Sequence, residues 1–383
     1  MTKAALPPLL KDLNERTVIE TIRTGAPISR AEISRRAGIS KPTVSLALQS
    51  LLEAGLVREV EPDRGRPTYG AVYFDVVPEA GLVLGLDLGA RFLRGAICDL
   101  RGEIRARQDV EVASADPERL LESIVRLRDA LIAATRLPSD VVDGAVVGVP
   151  GVVDAATGVI HLTHFSTLDG RAFRGELEER LALPVTLDND INLAALGERW
   201  RGTARGVDDF AFLSIGTGLG AGIVLRGEIH RGRNGAAGEV DLVLPGLGDE
   251  IDPCASALSA LAARLSAGEQ TVLAPPFDAR AVFAAARTGD PTARAVVAEE
   301  ARRIALHIAP VAAVADVPLV VLGGGIGTQG DLLLEPIRAL LASWLPFPPQ
   351  VEVSNLGDAA VLTGALALGL GVAVENVFVR RRA

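Results

Sequence analysis

Ser29–Thr68, SRAEISRRAGISKPTVSLALQSLLEAGLVREVEPDRGRPT, is the stretch whose reading decides the fold. Ser29 followed by Glu32 is a capping-box pattern that starts a helix with Ile33 and Ala37 on its inner face. Gly38 breaks that run, and Ser40 caps a second helix that carries Pro42 in its first turn. Val44, Leu48, Leu51 and Leu52 then fall at helical spacing and are expected inside. That spacing leaves Lys41, Thr43, Ser45 and Gln49 pointing outward, a short polar surface suited to base edges in a major groove. Gly55 stops the helix, and Leu56 to Val60 begin a strand. Asp63-Arg64-Gly65-Arg66-Pro67 forms a turn that presents Arg64 and Arg66 as a wing. The pattern predicts a winged helix-turn-helix over residues 1–78. A helical bundle without nucleic acid would carry long solvating charges where Ser-Lys-Pro-Thr-Val-Ser stands, and it would have no reason for an Arg-Gly-Arg turn at wing distance.

The 383 residues suit two or three domains. Residues 1–78 hold 11 Lys+Arg against 9 Asp+Glu, whereas the remainder holds 28 against 39, a balance of −11 within a chain of −9. A slightly basic head on an acidic body suits a DNA reader joined to a part that repels phosphate. Cys98 and Cys254 cannot form a disulfide framework, and the sequence contains no Cys-x-x-Cys. MTKAALPPLLKDLNERT lacks the apolar core of a signal peptide. No apolar run reaches a membrane span without a Gly or a charge, the nearest being Ile308–Gly323. The expectation is a cytoplasmic protein with no membrane partner.

Beyond Pro78 and Gly81 the pattern changes to β-branched runs, Gly-rich turns and Ala-rich helices, an α/β signature. Leu82–Leu88, Leu93–Leu100 and Glu103–Ala113 read as strands, Glu118–Arg136 as a helix and Val141–Val149 as a buried strand. Val185–Leu187 runs into a helix at Ile191–Arg201. The order then repeats in Asp209–Ile215, Gly220–Leu225 and Glu228–His230, a helical region, the strand Pro318–Leu322 and the helix Asp331–Ser343. Three strands, helix, strand, helix, given twice, is the duplicated two-lobe arrangement of the actin-like and sugar-kinase, ribonuclease H-like folds. Lobe one is expected over 79–200, with a C-terminal helix at 357–372 packing back on it, and lobe two over 201–356.

On five motifs the sequence resembles the ROK family (repressors, open reading frames and kinases), in its transcriptional-regulator branch. These are GVPGVVD at Gly148–Asp154, LDNDINLAALGE at Leu187–Glu198, GTGLGAGIV at Gly216–Val224, AAGEV at Ala236–Val240 and LGGGIG at Leu322–Gly327. Each glycine turn is a weak signal alone, but their order behind a winged head is specific. The resemblance implies a sugar-binding cleft formed by Gly151, His164, Asn189, Asp190, Glu239 and Asp252. Asn189-Asp190 before Ile-Asn-Leu is also good N-cap chemistry. In a kinase of the family, Asp190 would be the base that takes the proton of the attacking hydroxyl.

Departures from the family pattern weigh against catalysis. The phosphate turn Asp-x-Gly-Gly-Thr-Lys is here Asp87-Leu88-Gly89-Ala90-Arg91-Phe92, without the second glycine, the threonine hydroxyl or the lysine. Asp190 is then a vestigial base, and no catalytic residue or cofactor is expected. The zinc motif lacks its histidine, with Leu242 in that place, and keeps one cysteine, Cys254, of three, so no metal is expected. Leu46 stands outward where a basic residue would be expected, against either a thymine methyl or the body. The reading is a repressor of sugar metabolism or transport genes that binds operator DNA as a homodimer or dimer of dimers and answers to a sugar effector. The alternatives are a ROK sugar kinase with an appended head and a ligand-independent dimeric regulator.

Overall fold

The computed structural model describes residues 7–61, 71–138, 141–163, 165–242 and 250–380. The head begins with α1 (Pro7–Gly25), a helix that the sequence reading had passed over. Its Val18, Ile19 and Ile22 are buried, and their spacing is that of one helix face. Strand β1 (Ile28–Ser29), α2 (Arg30–Ala37), α3 (Lys41–Glu53), β2 (Val57–Val60) and β3 (Tyr73–Val76) complete a three-helix winged domain. Its sheet runs in the order β1-β3-β2. Only half of the capping box forms. Ser29 Oγ accepts from Glu32 N–H, but Ser29 also lies in the β1–β3 ladder, and the Glu32 carboxylate turns to Arg35 and Arg36.

The first lobe comprises β4 (Leu82–Leu88), β5 (Phe92–Asp99), β6 (Ile104–Glu111), α4 (Pro117–Thr135), β7 (Val142–Val149), the short β8 (Val152–Val153) and β9 (Ile160–His161), α5 (Phe173–Leu181) and β10 (Val185–Asn189). Helix α6 (Asp190–Arg201) follows. The second lobe comprises β11 (Phe210–Ile215), β12 (Leu219–Leu225), β13 (Glu228–Ile229), α7 (Ala255–Ser266), α8 (Ala279–Thr288), α9 (Pro291–Ala315), β14 (Leu319–Gly323), α10 (Gly324–Gly327), α11 (Gly330–Trp344) and β15 (Gln350–Val353). Helix α12 (Ala360–Arg380) ends the chain. The two five-stranded sheets are ordered β6-β5-β4-β7-β10 and β13-β12-β11-β14-β15. In both, three antiparallel strands are extended by two parallel ones, so the duplication holds strand for strand.

The helices that follow the two sheets are exchanged. Helix α6, which continues from the first sheet, packs on β12 and β11, and α12, which continues from the second, packs on β4 and β7. The two helices cross each other at backbone distance. A Cβ on Gly364 would stand 1.6 Å from the Leu193 carbonyl oxygen, and one on Gly197 would stand 2.3 Å from that of Ala360. Strand β4 divides its side chains by the period of two: Leu82, Leu84, Leu86 and Leu88 join the core under α4, while Val83 faces α12. Among the described residues one helical window, Gly357–Val374, is long and apolar enough to cross a membrane. Half of it is buried between the sheet and α6, which accounts for its apolarity and displaces Ile308–Gly323 as the most apolar stretch.

No flexible tether joins head to body. One apolar cluster joins Ile22, Val44 and Leu48 of the head and Phe74 of β3 to Val83, Ala96 and Cys98 of the first sheet and to Leu362 and Leu366 of α12. Leu100 N–H donates to the Pro78 carbonyl, and the buried Asp75 of β3 is bound by Arg101 from the β5–β6 turn. Arg105 ties Glu79 to Asp99 alongside. The expected boundary at residue 78 therefore separates two stretches of chain but not two cores.

Candidate functional site

The cleft is built at the carboxyl ends of β4, β7 and β10, where a parallel sheet places its loops. Asn189, 8% exposed, is the N-cap of α6, and its Oδ1 accepts from Ile191 N–H and Asn192 N–H. Its Nδ2 donates to the carbonyl of Gly151 at 2.9 Å, which fixes the turn after β7 against the start of α6. Asp190, the first residue of α6, is half-buried. Its carboxyl is raised to about 7, first by burial and then by the charge of Asp87, with Glu239 contributing further. Glu239 comes from the second lobe, and its own carboxyl is raised by burial and by Asp241. Gly151, Asn189, Asp190 and Glu239 are thus brought together, with backbone and amide groups beside three carboxylates.

Two features of this cleft were absent from the sequence-derived set. Asp87 is buried on β4 and directly opposite Arg94 in the β4–β5 register, with Nη1 to Oδ2 at 3.2 Å. Burial raises its carboxyl to about 6 against the opposing pull of Arg94. The hairpin pairing alone could have found that partner. The second feature is a tie between lobes: Arg231, just beyond β13, donates to the buried Asp188 of β10 from Nη2 at 2.5 Å and Nε at 3.2 Å. Asp188 precedes Asn189, so the pair holds the two lobes together one residue from the cleft floor.

Asp252 is placed differently from the rest. Its Oδ1 accepts from Cys254 N–H at 2.8 Å, and its carbonyl accepts from the buried Arg303 of α9. Its charge bears on Glu300, a wholly buried residue whose carboxyl burial raises to about 9. Cys254 is the N-cap residue of α7, and burial with the Asp252 carboxylate pushes its thiol well above the usual range. A neutral thiol is a poor metal ligand. Among the described residues no three His, Cys, Asp or Glu side chains are arranged to hold a metal. His164 lies outside the described residues.

The turn after β4 does not resemble a phosphate cradle. Ala90 and Arg91 are exposed, and the Arg91 guanidinium lies 5.2 Å from the centre of the Phe92 ring and 3.8 Å from Glu111. Arg94 lies 5.4 Å from the same ring. Arg91 is thus engaged with Phe92 and Glu111, and Arg94 with Asp87, Asp109 and, at 3.7 Å, Asp358.

On the head, Ser40 caps α3 through Thr43 N–H, and its Oγ lies 2.8 Å from Thr43 Oγ1. Ser45 Oγ donates to the Lys41 carbonyl. Both hydroxyls are thus satisfied within the helix, and Thr43 and Ser45 are only half-exposed. The outward face consists of Lys41, Pro42, Leu46, Gln49 and Glu53, with Gln49 Nε2 donating to Glu53 at 3.0 Å. Leu46 is 68% exposed, so it does not pack on the body. Arg30, Arg35 and Arg36 add exposed positive charge on α2, which the sequence reading had not singled out. Arg64 and Arg66 lie outside the described residues.

A sequence model of the ROK family matches residues 83–371, and one of the MarR family matches residues 12–66. The chain is 27% identical to the xylose repressor of Caldicellulosiruptor bescii, over 94% of this chain and 96% of that protein. It is 32% identical to the glucokinase of Halalkalibacterium halodurans, over 73% of this chain and 93% of that enzyme. A solved structure described as a ROK family transcriptional regulator, a homologue of the E. coli MLC protein, matches with a TM-score of 0.83. That match covers 97% of this chain and 99% of the other at 24% identity, and it speaks to the fold alone.

Proposed function

The chain belongs to the ROK family, and from that premise we propose that it is a transcriptional repressor of sugar metabolism or transport genes. Its winged head binds operator DNA, and a sugar or sugar derivative in the cleft controls it. The observation that carries this reading is the combination of a winged head sharing one core with the first lobe and a cleft in which Gly151, Asn189, Asp190 and Glu239 come together. Asn189, Asp190 and Glu239 hold sugar hydroxyls, since amide and carboxylate together supply donors and acceptors. Gly151 shapes the turn beside them. Lys41, Ser40 and Gln49 form the head's DNA surface, with the half-exposed Thr43 and Ser45 at its edges and Arg64 and Arg66 on the wing.

The chain is not a kinase in this reading. Transfer from ATP needs a bare backbone turn and a hydroxyl at the phosphate, and Ala90-Arg91-Phe92 supplies neither. The glucokinase relative keeps the reaction in view as a test. Mixing the protein with ATP, Mg²⁺ and a panel of hexoses and pentoses is expected to release no ADP above background. The protein acts in the cytoplasm as a homodimer or dimer of dimers, because paired half-sites need paired heads.

The effector acts by binding one lobe arrangement better than the other, and the available energy is that difference in affinity. Because the head shares a core with the first lobe, lobe closure moves the second lobe relative to a fixed head-and-first-lobe body. The deciding experiment is fluorescence anisotropy of labelled DNA from upstream of the gene, titrated at fixed salt with and without candidate sugars. Tight binding released by one sugar supports the repressor, and binding indifferent to all sugars and their phosphates refutes the effector reading.

A further inference from the structure

We infer that Leu46 is a specificity-determining residue of the DNA-reading helix, and that it selects operator positions by packing against the 5-methyl group of thymine. The inference rests on the reading of the head as a DNA-binding domain.

Three observations support it. The first is position. Successive residues of an α-helix are 100° apart, and the buried side of α3 is Val44, Ala47, Leu48 and Leu51. The direction opposite that side falls between Pro42, Leu46, Gln49 and Glu53. The centre of the outward face therefore carries a leucine and a proline, and the hydroxyls of Thr43 and Ser45 are turned back onto the helix.

The second is the exposure of that leucine, which the described residues leave mostly uncovered. Leu46 keeps 68% of its surface in water, and it stands at the lip of a groove of about 640 Å³ between α1 and α3. Leu10 and Ala47 make the apolar part of the groove, which the buried Glu15 and the exposed Glu53 also line.

The third is the distribution of charge around it. Lys41 at the start of α3 is exposed, and Arg35 and Arg36 at the end of α2 share the one carboxylate of Glu32 and so leave a net positive charge there, whereas Glu53 ends the outward face. Phosphates are attracted at the amino end of α3 and repelled at the carboxyl end. The helix thus enters a major groove by its first turns, which carries Leu46 to the base edges. The thymine methyl is the one apolar group that a base displays in that groove. A leucine has no hydrogen bond to offer guanine or cytosine, and facing their polar edges it would strip water from them without replacing it.

The test separates this contact from the fold of the head and from DNA binding itself. The full-length protein is used to select duplexes from a random-sequence pool. The selected site is then resynthesised with deoxyuridine in place of each thymidine in turn, which removes only the methyl group. The wild-type chain is expected to lose about fourfold in affinity at one or two positions of each half-site, the worth of one buried methyl-sized group. Leu46→Ala is expected to bind the parent site more weakly and to lose its preference for thymine over uracil at those positions. Leu46 has only about a third of its surface covered in the head, so the melting temperature of the variant is expected to stay close to that of the wild type. Uniform binding to every uracil-substituted site by the wild-type chain overturns the inference, and so does full methyl discrimination by Leu46→Ala. Either result would leave the head a DNA reader. Failure to enrich any sequence from the pool would remove the DNA-binding reading and the inference together.

Discussion

Gly364→Ala and Gly371→Ala place the same methyl on the same helix with opposite expected consequences. Both lie in α12, and a Gly-to-Ala change inside a helix gains up to about 1 kcal/mol of backbone propensity. At Gly371 nothing stands within 4 Å of the added Cβ, so the gain is kept. At Gly364 the Cβ would lie 1.6 Å from the carbonyl oxygen of Leu193 and 3.0 Å from Gly197 N, both of them backbone atoms of α6. An ordinary carbon-to-oxygen contact is about 3.3 Å or more, so the two helices must part by well over an ångström. That separation loosens Leu193 from Ala365 and Val146. Overpacking of this kind costs about 1–3 kcal/mol and occasionally more, and since the backbone of α6 cannot swing aside the upper end applies. After the propensity gain, a net loss of about 2 kcal/mol is expected for Gly364→Ala. In thermal unfolding this becomes a fall in Tm of about 2–3 °C, while Gly371→Ala stays level or rises by about a degree. Equal shifts for the two variants, or a Gly364→Ala protein as stable as wild type, would mean that α6 and α12 do not cross at these glycines. The exchange of helices between the lobes would then be wrong.

Three further outcomes follow from the cleft, the joint and the head. The Asp190 and Asp87 carboxyls are raised to about 7 and about 6, so the folded chain keeps protons that the unfolded chain releases near pH 4. Unliganded stability should therefore fall as pH rises from about 4 to about 7, and Asp190→Asn should flatten that slope, read as Tm across the range. An unchanged slope would assign it to other groups. Arg101→Ala leaves Asp75 buried with, among the cations of the described residues, Arg58 alone near it, at 3.9 Å, and should cost about 2 kcal/mol in denaturant unfolding, less than a fully buried pair because Arg101 is 43% exposed. Arg58→Ala should cost less, and the reverse order would contradict the joint. Lys41→Ala should weaken binding to all DNA sequences alike and lower the slope of log affinity against log salt by about 1.

The sequence made the local structure legible wherever a residue's neighbours in the chain were also its neighbours in space. Ser40 and Pro42 start α3, Leu82–Leu88 is a strand to the residue, and Asn189 caps α6 because its own side chain reaches the amides two and three residues on. The reading failed where a polar residue had two choices. Thr43 and Ser45 looked outward by exclusion from the apolar set, but their hydroxyls are satisfied by the helix, and the face belongs to Pro42 and Leu46. It also failed where partners are distant. Asp75 in YFDV reads as a charge interrupting a strand until Arg101 is brought to it, and Asp188 shows no sign of Arg231. Asp252 was matched to the cleft by motif alignment, yet its hydrogen bonds run to Cys254 and Arg303.

The exchange of α6 and α12 links the cleft to the DNA surface in mechanical terms. Asn189 and Asp190 begin α6, so a ligand that bonds to them acts on the end of a helix whose flank rests on the second sheet. The middle of α6 meets α12 through glycines, at a distance where neither helix can shift without moving the other. Helix α12 lies on the first sheet, and its Leu362 and Leu366 belong to the same apolar cluster as Val44 and Leu48 of the reading helix. Cleft, crossing and head thus form one packed series. The Arg231–Asp188 pair is a polar tie between the lobes beside the residues proposed to face the ligand. A ligand that favours one lobe arrangement competes with or reinforces that tie, and the shared core leaves the head no freedom to ignore the result.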